Sequence, residues 1–573
     1  MKKYNIIKFI FASLILLLGL SACEDFLDRP NEDGYNLGNF FQTEEQCIQS
    51  VNPIYNSPWY DFQRGFFKVS EVQSGNYYWG ESPYLTFTLN SSDEDLANMS
   101  ASLWAVNAYC NTTLENIDMY ASDAVSEKIK KQVKGEALVW KAMSYFYLVR
   151  VFGEVPIVHN NSAEIAAGDY NQKYKATIPN VYDYIIMTLE QAIEWLPEKN
   201  SPGRIDKYSA YGLLSKVYLT KSGYGQSGSR NQDDLDQAAK YALKVINESG
   251  RELEPVYSDI FRLENNFTKE SLLAWHWNGS REPWTQQNSL QSDLALTNFS
   301  EFGDTWGGYN GPSVDLQEAF GENALSQTRN NKDKRRKATM MMAGDKYEYF
   351  WVDKGGFDWL DYNLNVLDEV QSATGANQVK HLVGNNNDHI LGNGKEMANM
   401  ATGLSTHILR LADIYLVYAE AVLGNQASTN DAEALRAINM VKARAYGVEY
   451  EDFIGGDDKY ESITFDDVWL ERRLELATEG DHWYDYVRLH YYKPAEAIAK
   501  IRAQKRNSYK GLKDYYKNDF TNKEDSEASY DETAPRPNIT DSHFKLPFPD
   551  TDLTMNKLLL DEPKEIDISQ FTY

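Results

Sequence analysis

Residues 408–423 read ILRLADIYLVYAEAVL and are followed by Gly424-Asn425. The run predicts one long helix that stops at the glycine. A second helix follows over Asp431 to Tyr446 and stops at Gly447. The same kind of pair occurs earlier, at Ser209 to Leu219 and Leu235 to Ile246, across a Gly/Ser-rich turn at Gly223 to Gly228. Small residues lie inside these helices: Ala210, Gly212, Ala238, Ala242, Ala412, Ala419 and Ala421. They let helix axes approach closely. Paired helices of this kind look like tetratricopeptide units of irregular period, so the scaffold reads as a divergent helical solenoid.

Upstream, Gly135 to Phe152 is apolar on two faces. Ala137, Trp140, Ser144 and Leu148 share one; Leu138, Ala142, Tyr145 and Val149 share the next. Such a helix is buried between neighbours. Gly153 ends it, with Pro156 just beyond. Val181 to Leu196 forms another helix, ended by Pro197. Trp104, Trp140, Trp195 and Trp469 fall on helical patterns and read as packing residues.

Three stretches break the pattern: Trp59 to Asp95, Gly279 to Thr406 and Lys505 to Asp541. The middle one is rich in Gly, Asn, Asp and aromatics, as in TWGGYNGPS at Thr305 to Ser313 and GGFDWLDYNLN at Gly355 to Asn365. Neither period 3.6 nor period 2 is sustained. A long irregular stretch with this aromatic content is a functional loop system rather than disorder. The fold expected is mainly all-α: tetratricopeptide-like helical pairs carrying long irregular, loop-rich insertions.

The chain starts with Lys2, Lys3 and Lys8, then a short apolar run from about Phe9, then Leu20-Ser21-Ala22-Cys23. A basic start, an apolar core and small residues before a cut site mark a secretory signal peptide, here residues 1–22. The apolar run is too short to span a bilayer. Leu-Ser-Ala-Cys resembles a bacterial lipobox, in which the thiol is acylated and the cysteine becomes the mature N-terminus. Cys23 is therefore the expected lipidation site. Glu24, Asp25 and Asp28 follow it and resemble the surface-export signal of lipoproteins in the Bacteroidetes.

The net charge of −27 over 573 residues disfavours nucleic acid and anionic membrane surfaces as partners. Cys47 and Cys110 remain after Cys23; one disulfide between them is possible but not implied, two cysteines make no framework, and they read as buried or half-buried thiols.

Five ordered blocks resemble the SusD/RagB family of outer-membrane nutrient-binding lipoproteins. They are Cys23-Glu24-Asp25-Phe26-Leu27-Asp28; Glu136 through Phe152-Gly153-Glu154-Val155-Pro156; Leu409-Arg410-Leu411-Ala412-Asp413 with Tyr418-Ala419-Glu420-Ala421; Glu471-Arg472-Arg473-Leu474-Glu475-Leu476-Ala477 with Glu479-Gly480 and Trp483-Tyr484-Asp485; and His543 to Asn556 with Leu546-Pro547-Phe548-Pro549. Asp413 stands where that family usually has Glu, and Asp481 breaks its pattern before Trp483. The resemblance implies a SusD-like domain over 23–573. Its parts are a helical scaffold at about 40–275, a loop-rich insertion at about 279–406, and helices with a tail at about 407–573. It also implies the job: capture of an oligosaccharide or polysaccharide at the outer membrane, held there by the lipid anchor, and delivery to a SusC-like TonB-dependent transporter that the protein covers as a lid. Arg472, Arg473, Glu475 and Glu479, at helical spacing, read as ion pairs between helices rather than as catalysts.

Sugar recognition needs flat aromatic faces and planar polar groups. Loops on a rigid scaffold are where such groups are expected. The candidates are Tyr77, Tyr78 and Trp79, near Asn76 and Glu81; Trp284, Trp306, Tyr309 and Asn310; and Trp359, flanked by Asp358 and Asp361. No His-Glu-x-x-His, Gly-x-Ser-x-Gly or phosphate-loop motif occurs, and no EF-hand spacing. No catalytic residue, metal or cofactor is implied. Two other readings stay open on sequence: a helical scaffold or adhesin that binds protein rather than glycan, and a glycoside hydrolase, since a carboxylate pair cannot be found by spacing alone.

Overall fold

The computed structural model describes residues 36–280, 284–326, 328–393, 399–519, 527–533 and 537–573. The leader, Cys23 and the acidic residues after it lie outside the described residues. Helix α1 (Phe62–Phe67) runs straight into a wider π-type turn at Lys68–Val72. Helices α2 (Glu94–Tyr120), α3 (Glu127–Phe152), α4 (Ile178–Trp195), α5 (Lys207–Lys221) and α6 (Gln232–Glu248) follow. After the insertion come α7 (Leu411–Leu423), α8 (Ala432–Tyr446), α9 (Phe465–Leu476) and α10 (His482–His490).

Local chemistry sets these limits. The Asp93 carboxylate accepts from Leu96 N and opens α2. Asp206 and Ser209 form a capping box at α5. Gly153 closes α3 at φ 79°, a conformation that costs a glycine little. From Gly135 to Phe152 every residue of α3 is buried, as its two apolar faces require, because α3 lies between α2 and α4. A Cβ on Gly135 would sit 2.8 Å from Leu196 Cγ, so the missing side chain is what lets α3 approach the end of α4. From α2 to α8 each helix packs on the next, α6 meeting α7 across the insertion. That succession is the helical-pair scaffold.

One expected helix is shortened. Residues 406–410 are a strand that pairs antiparallel with Ser271–Trp275, Ser271 opposite Arg410 and Trp275 opposite Thr406; α7 starts only at Leu411. Thr406 and Ile408 are β-branched and suit a pleated surface. Tertiary pairing overrides the local helical pattern there. In chain order the strands used below are β1 (Tyr77–Tyr78), β2 (Ser271–Trp275), β3 (Gly311–Pro312), β4 (Ala376–Gln378) and β5 (Thr406–Arg410).

The insertion has no long element, but it shares the main core. Leu290, Leu294, Phe299, Met340 and Trp359 belong to the same buried cluster as Trp140 and Leu416. Trp140 and Trp469 are buried as expected, while Trp104 and Trp195 are half-buried and pack against the core from one side. Cys47 and Cys110 are free and buried. No described helix is long and apolar enough to cross a membrane.

The charged signature residues form buried networks. Arg410 pairs with Glu479 at 2.7 Å and Glu475 at 3.0 Å; Arg444 reaches Glu270 at 2.8 Å; Lys380 reaches Glu479 at 2.7 Å. A second group joins Arg472 to Asp481 at 2.9 Å and Asp485 at 3.2 Å, Lys216 to Asp413 at 2.6 Å, and Arg488 to Glu420. Asp413 and Asp481, the two departures from the family pattern, are both members. Burial alone would raise these carboxyls. The flanking cations outweigh it and hold Glu420 and Glu479 down at about 2. These networks fix helix against helix.

Candidate functional site

Arg64 in α1 and Lys68 in the turn after it are one helical turn apart and flank the loops of the insertion. Asp293 receives Arg64 through two bonds, Nε to Oδ2 at 2.9 Å and Nη2 to Oδ1 at 2.8 Å. The Trp306 indole N–H donates to the same Oδ1 at 3.0 Å. The Asp293 bonds hold the Arg64 guanidinium above its ordinary value. Tyr60 is pushed up to about 12, first by burial and then by the nearby Asp61 and Asp293 charges. Its ring meets Trp284 edge-on, with centroids 5.7 Å apart.

The loop that carries Trp306 and Tyr309 is pressed onto the scaffold through its glycines. A Cβ on Gly307 would lie 2.4 Å from Asp293 O, on Gly308 2.0 Å from Gln371 Oε1, and on Gly311 1.9 Å from Ala376 O. None of the three has positive φ, so close approach explains them rather than turn geometry. β3 then pairs with β1, Gly311 opposite Tyr78 and Pro312 opposite Tyr77. That pairing brings the 77–79 stretch beside the 306–312 stretch. Trp79 follows, with Lys68 Nζ over its ring at 5.1 Å; Lys68 also pairs with Asp95.

Three local groups thus result: Trp284 on Tyr60, Trp306 and Arg64 on Asp293, and Tyr78 with Trp79 beside the loop that carries Tyr309, joined to it by the β1–β3 pairing. Trp284 is 40% exposed, Trp306 42% and Tyr309 57%, more than the other candidate rings. Tyr78, Trp79 and Asn310 are half-buried. Arg64 Nη1 has no partner among the described residues, and its side chain is 49% exposed. Flat apolar rings beside a guanidinium and an amide can pack the C–H face of a sugar and bond its hydroxyls.

Two candidates move inward. Tyr77 is fully buried against Phe67, with ring centroids 4.8 Å apart, because alternate residues of a strand face opposite ways. Trp359 is fully buried too, and its indole donates to Asn377 Oδ1 at 2.9 Å. Neither presents a ring to solvent. Both lie behind the face instead of on it.

The scaffold grips this face from below. Glu71, in the π-type turn, accepts from Asn76 Nδ2 and from the Thr478 and Gly480 amides. Arg473 donates to Asn76 Oδ1 at 2.8 Å and pairs with Asp315 at 2.7 Å. So one residue of the charged signature block ties the scaffold to both loops. Arg64, Lys68 and Asp293 escape a search for loop aromatics, and Tyr60, though within the stretch Trp59 to Asp95, is not among the candidates. The i, i+4 spacing of Arg64 and Lys68 is a signal for those two alone.

Cavities of about 810 Å³, beside Glu190, Tyr211 and Lys240, and about 570 Å³, beside Tyr257, Lys337 and Arg444, are lined by other residues. Among the described residues no group of three or more His, Cys, Asp or Glu gathers to hold a metal ion.

Fold and site together define a class: a helical scaffold that displays an open aromatic face from its loops. The chain belongs to the SusD family, whose model matches residues 264–563; a second model, described as starch-binding associating with outer membrane, matches residues 25–219. A SusD-like protein of Bacteroides ovatus is 31% identical over 560 residues, covering 95% of each chain. A crystal structure of a protein with xylogluco-oligosaccharide superposes with a TM-score of 0.77 at 29% identity, covering 91% of this chain and 99% of that one. A laminarin-binding SusD-like protein shares the fold, with a TM-score of 0.62 at 20% identity over 90% of this chain and 98% of its own.

Proposed function

We propose that this chain is a lipid-anchored, surface-exposed glycan-binding protein of the outer membrane. It captures oligosaccharide or polysaccharide on the face formed by Trp284, Trp306 and Tyr309, with Tyr78, Trp79, Asn310 and Arg64 at its edges. It carries out no bond cleavage and passes the glycan to a SusC-like TonB-dependent transporter, over which it closes as a lid. The observation that carries this reading is the pair Arg64 and Trp306 meeting on Asp293, with the β1–β3 pairing setting Tyr78 and Trp79 beside the loop of exposed Trp306 and Tyr309. A surface of this form suits an extended chain of sugars, each ring burying one apolar face. Support for the ligand class comes from the relative with xylogluco-oligosaccharide, at 29% identity. Support for the membrane address comes from the outer-membrane family description and from the lipobox-like run ending at Cys23. An anchor beside a transporter raises local concentration, so modest sugar affinity suffices.

The test is native affinity electrophoresis in gels containing xyloglucan or laminarin. Retardation of the wild-type protein, lost in a Trp284→Ala, Trp306→Ala, Tyr309→Ala triple variant of unchanged melting temperature, supports the reading. Retardation unchanged in the triple variant contradicts the site, and no retardation by any glycan favours a protein-binding scaffold. Reducing sugar released by the pure protein contradicts the non-catalytic part.

A further inference from the structure

We infer that Asp293 is the positioning residue of this face: it sets the orientation of the Trp306 indole and of Arg64, and so determines glycan affinity without touching the glycan. The inference rests on the glycan-binding reading above. Its geometric basis is the convergence of three donors on one carboxylate. Oδ1 takes the Trp306 indole N–H at 3.0 Å and Arg64 Nη2 at 2.8 Å; Oδ2 takes Arg64 Nε at 2.9 Å. The Asp293 side chain is only 5% exposed, so the residues it holds cover it from solvent.

The mount beneath Asp293 is stiff. Asp293 lies in a single helical turn, Leu290–Leu294. In that turn Gln291 Oε1 accepts from the Val383 and Gly384 amides, and Gln63 Oε1 accepts from Ser289 N at 3.1 Å. The Trp306 main chain is fixed to the same turn, its N–H donating to Ser292 O at 3.0 Å. Gly307 lies against the Asp293 carbonyl with no room for a Cβ. Trp306 is therefore held at its backbone and at its indole nitrogen, by neighbouring residues of one turn. An exposed tryptophan otherwise samples several rotamers, and fixing it on binding costs conformational entropy. Asp293 meets that cost during folding. Charge-assisted, bidentate pairing of Arg64 does the same for the guanidinium and leaves Nη1 free for a hydroxyl.

The experiment uses the full mature chain and xylogluco-oligosaccharide as probe. Removing the clamp in Asp293→Ala should weaken binding about tenfold, within the range of one lost charge-assisted bond and freed rotamers. Asp293→Asn keeps an acceptor for the indole and should fall between the two. Trp306→Phe keeps an aromatic ring but has no N–H to donate. Adding Asp293→Ala to it should weaken binding by clearly less than tenfold, the released Arg64 being the only part of the effect that remains, since coupled residues are not additive. In ligand-free protein the indole ¹⁵N–H resonance absent from Trp306→Phe should show slow hydrogen exchange, and fast exchange in Asp293→Ala. A merely structural role would move the melting temperature without this coupling. Wild-type Kd in Asp293→Ala, full additivity with Trp306→Phe, or unchanged indole exchange overturns the inference alone. Absence of glycan binding by the wild type overturns the proposed function and the inference with it.

Discussion

The Trp359 indole N–H donates to Asn377 Oδ1 at 2.9 Å, and Asn377 Nδ2 in turn donates to the Gly308 carbonyl at 3.1 Å and the Asn310 carbonyl at 3.2 Å. A tryptophan expected on the binding face is thus the back support of the loop that carries it. Trp359→Phe should leave Asn377 without that donor, cost about 1–3 kcal/mol of stability, and weaken glycan binding by about fivefold, or about 1 kcal/mol. Trp306→Ala should do the reverse, losing binding at nearly unchanged stability. Chemical denaturation alongside titration separates the two patterns.

Gly311→Ala tests the close approach of the loop. Its Cβ would collide with Ala376 O at 1.9 Å, so β3 must lift from β4 and the Tyr78 pairing must loosen. Expected are a stability loss of about 1–3 kcal/mol, the cost of overpacking, and a fall in glycan affinity larger than about tenfold. Wild-type affinity in this variant would show that loop placement does not matter.

Tyr77→Phe should be silent in binding. The Tyr77 hydroxyl is buried without a partner among the described residues, and burial raises its pKa far beyond the physiological range. Deleting an unsatisfied hydroxyl removes a desolvation cost, so stability should hold or rise by about 1 kcal/mol. A calorimetric melt and one titration decide it; loss of binding would return Tyr77 to the face.

The scaffold was legible in the chain because it depends on local pattern. Apolar periodicity, Gly153, Gly424 and Gly447 placed the helices, and the charges at Arg472, Glu475 and Glu479 announced buried pairs. The candidate face was half legible. Trp284, Trp306 and Tyr309 stand where loop composition suggested. Tyr77 and Trp359 do not, since whether a loop aromatic points outward depends on strand phase and on remote partners such as Phe67 and Asn377. Residues 408–410 misled for a similar reason, their strand partner lying at Ser271–Trp275. Asp293 carries no local mark; only the fold brings it to Arg64 and Trp306.

Acid should unfold the protein through its buried pairs. Glu420 and Glu479 sit at about 2 in the folded chain, held down by Arg488 and Arg230 and by Arg410 and Lys380 against the pull of burial. Both are depressed below the ordinary carboxylate value of 4.5. The unfolded chain therefore binds more protons between those limits, and stability present above about pH 4.5 is lost as pH falls toward about 2. Glu420→Gln should cost about 3–5 kcal/mol at pH 7, since it strands buried guanidinium groups, and should flatten the fall below pH 4.5. An acid limb equally steep in that variant would contradict the assignment.

Capture on the Trp284–Trp306–Tyr309 face is decided by isothermal titration of the mature chain with xylogluco-oligosaccharide, wild type against a Trp284→Ala, Trp306→Ala double variant. The wild type should show one site per chain and the folded variant no measurable heat of binding. Equal affinity in the two proteins would contradict it.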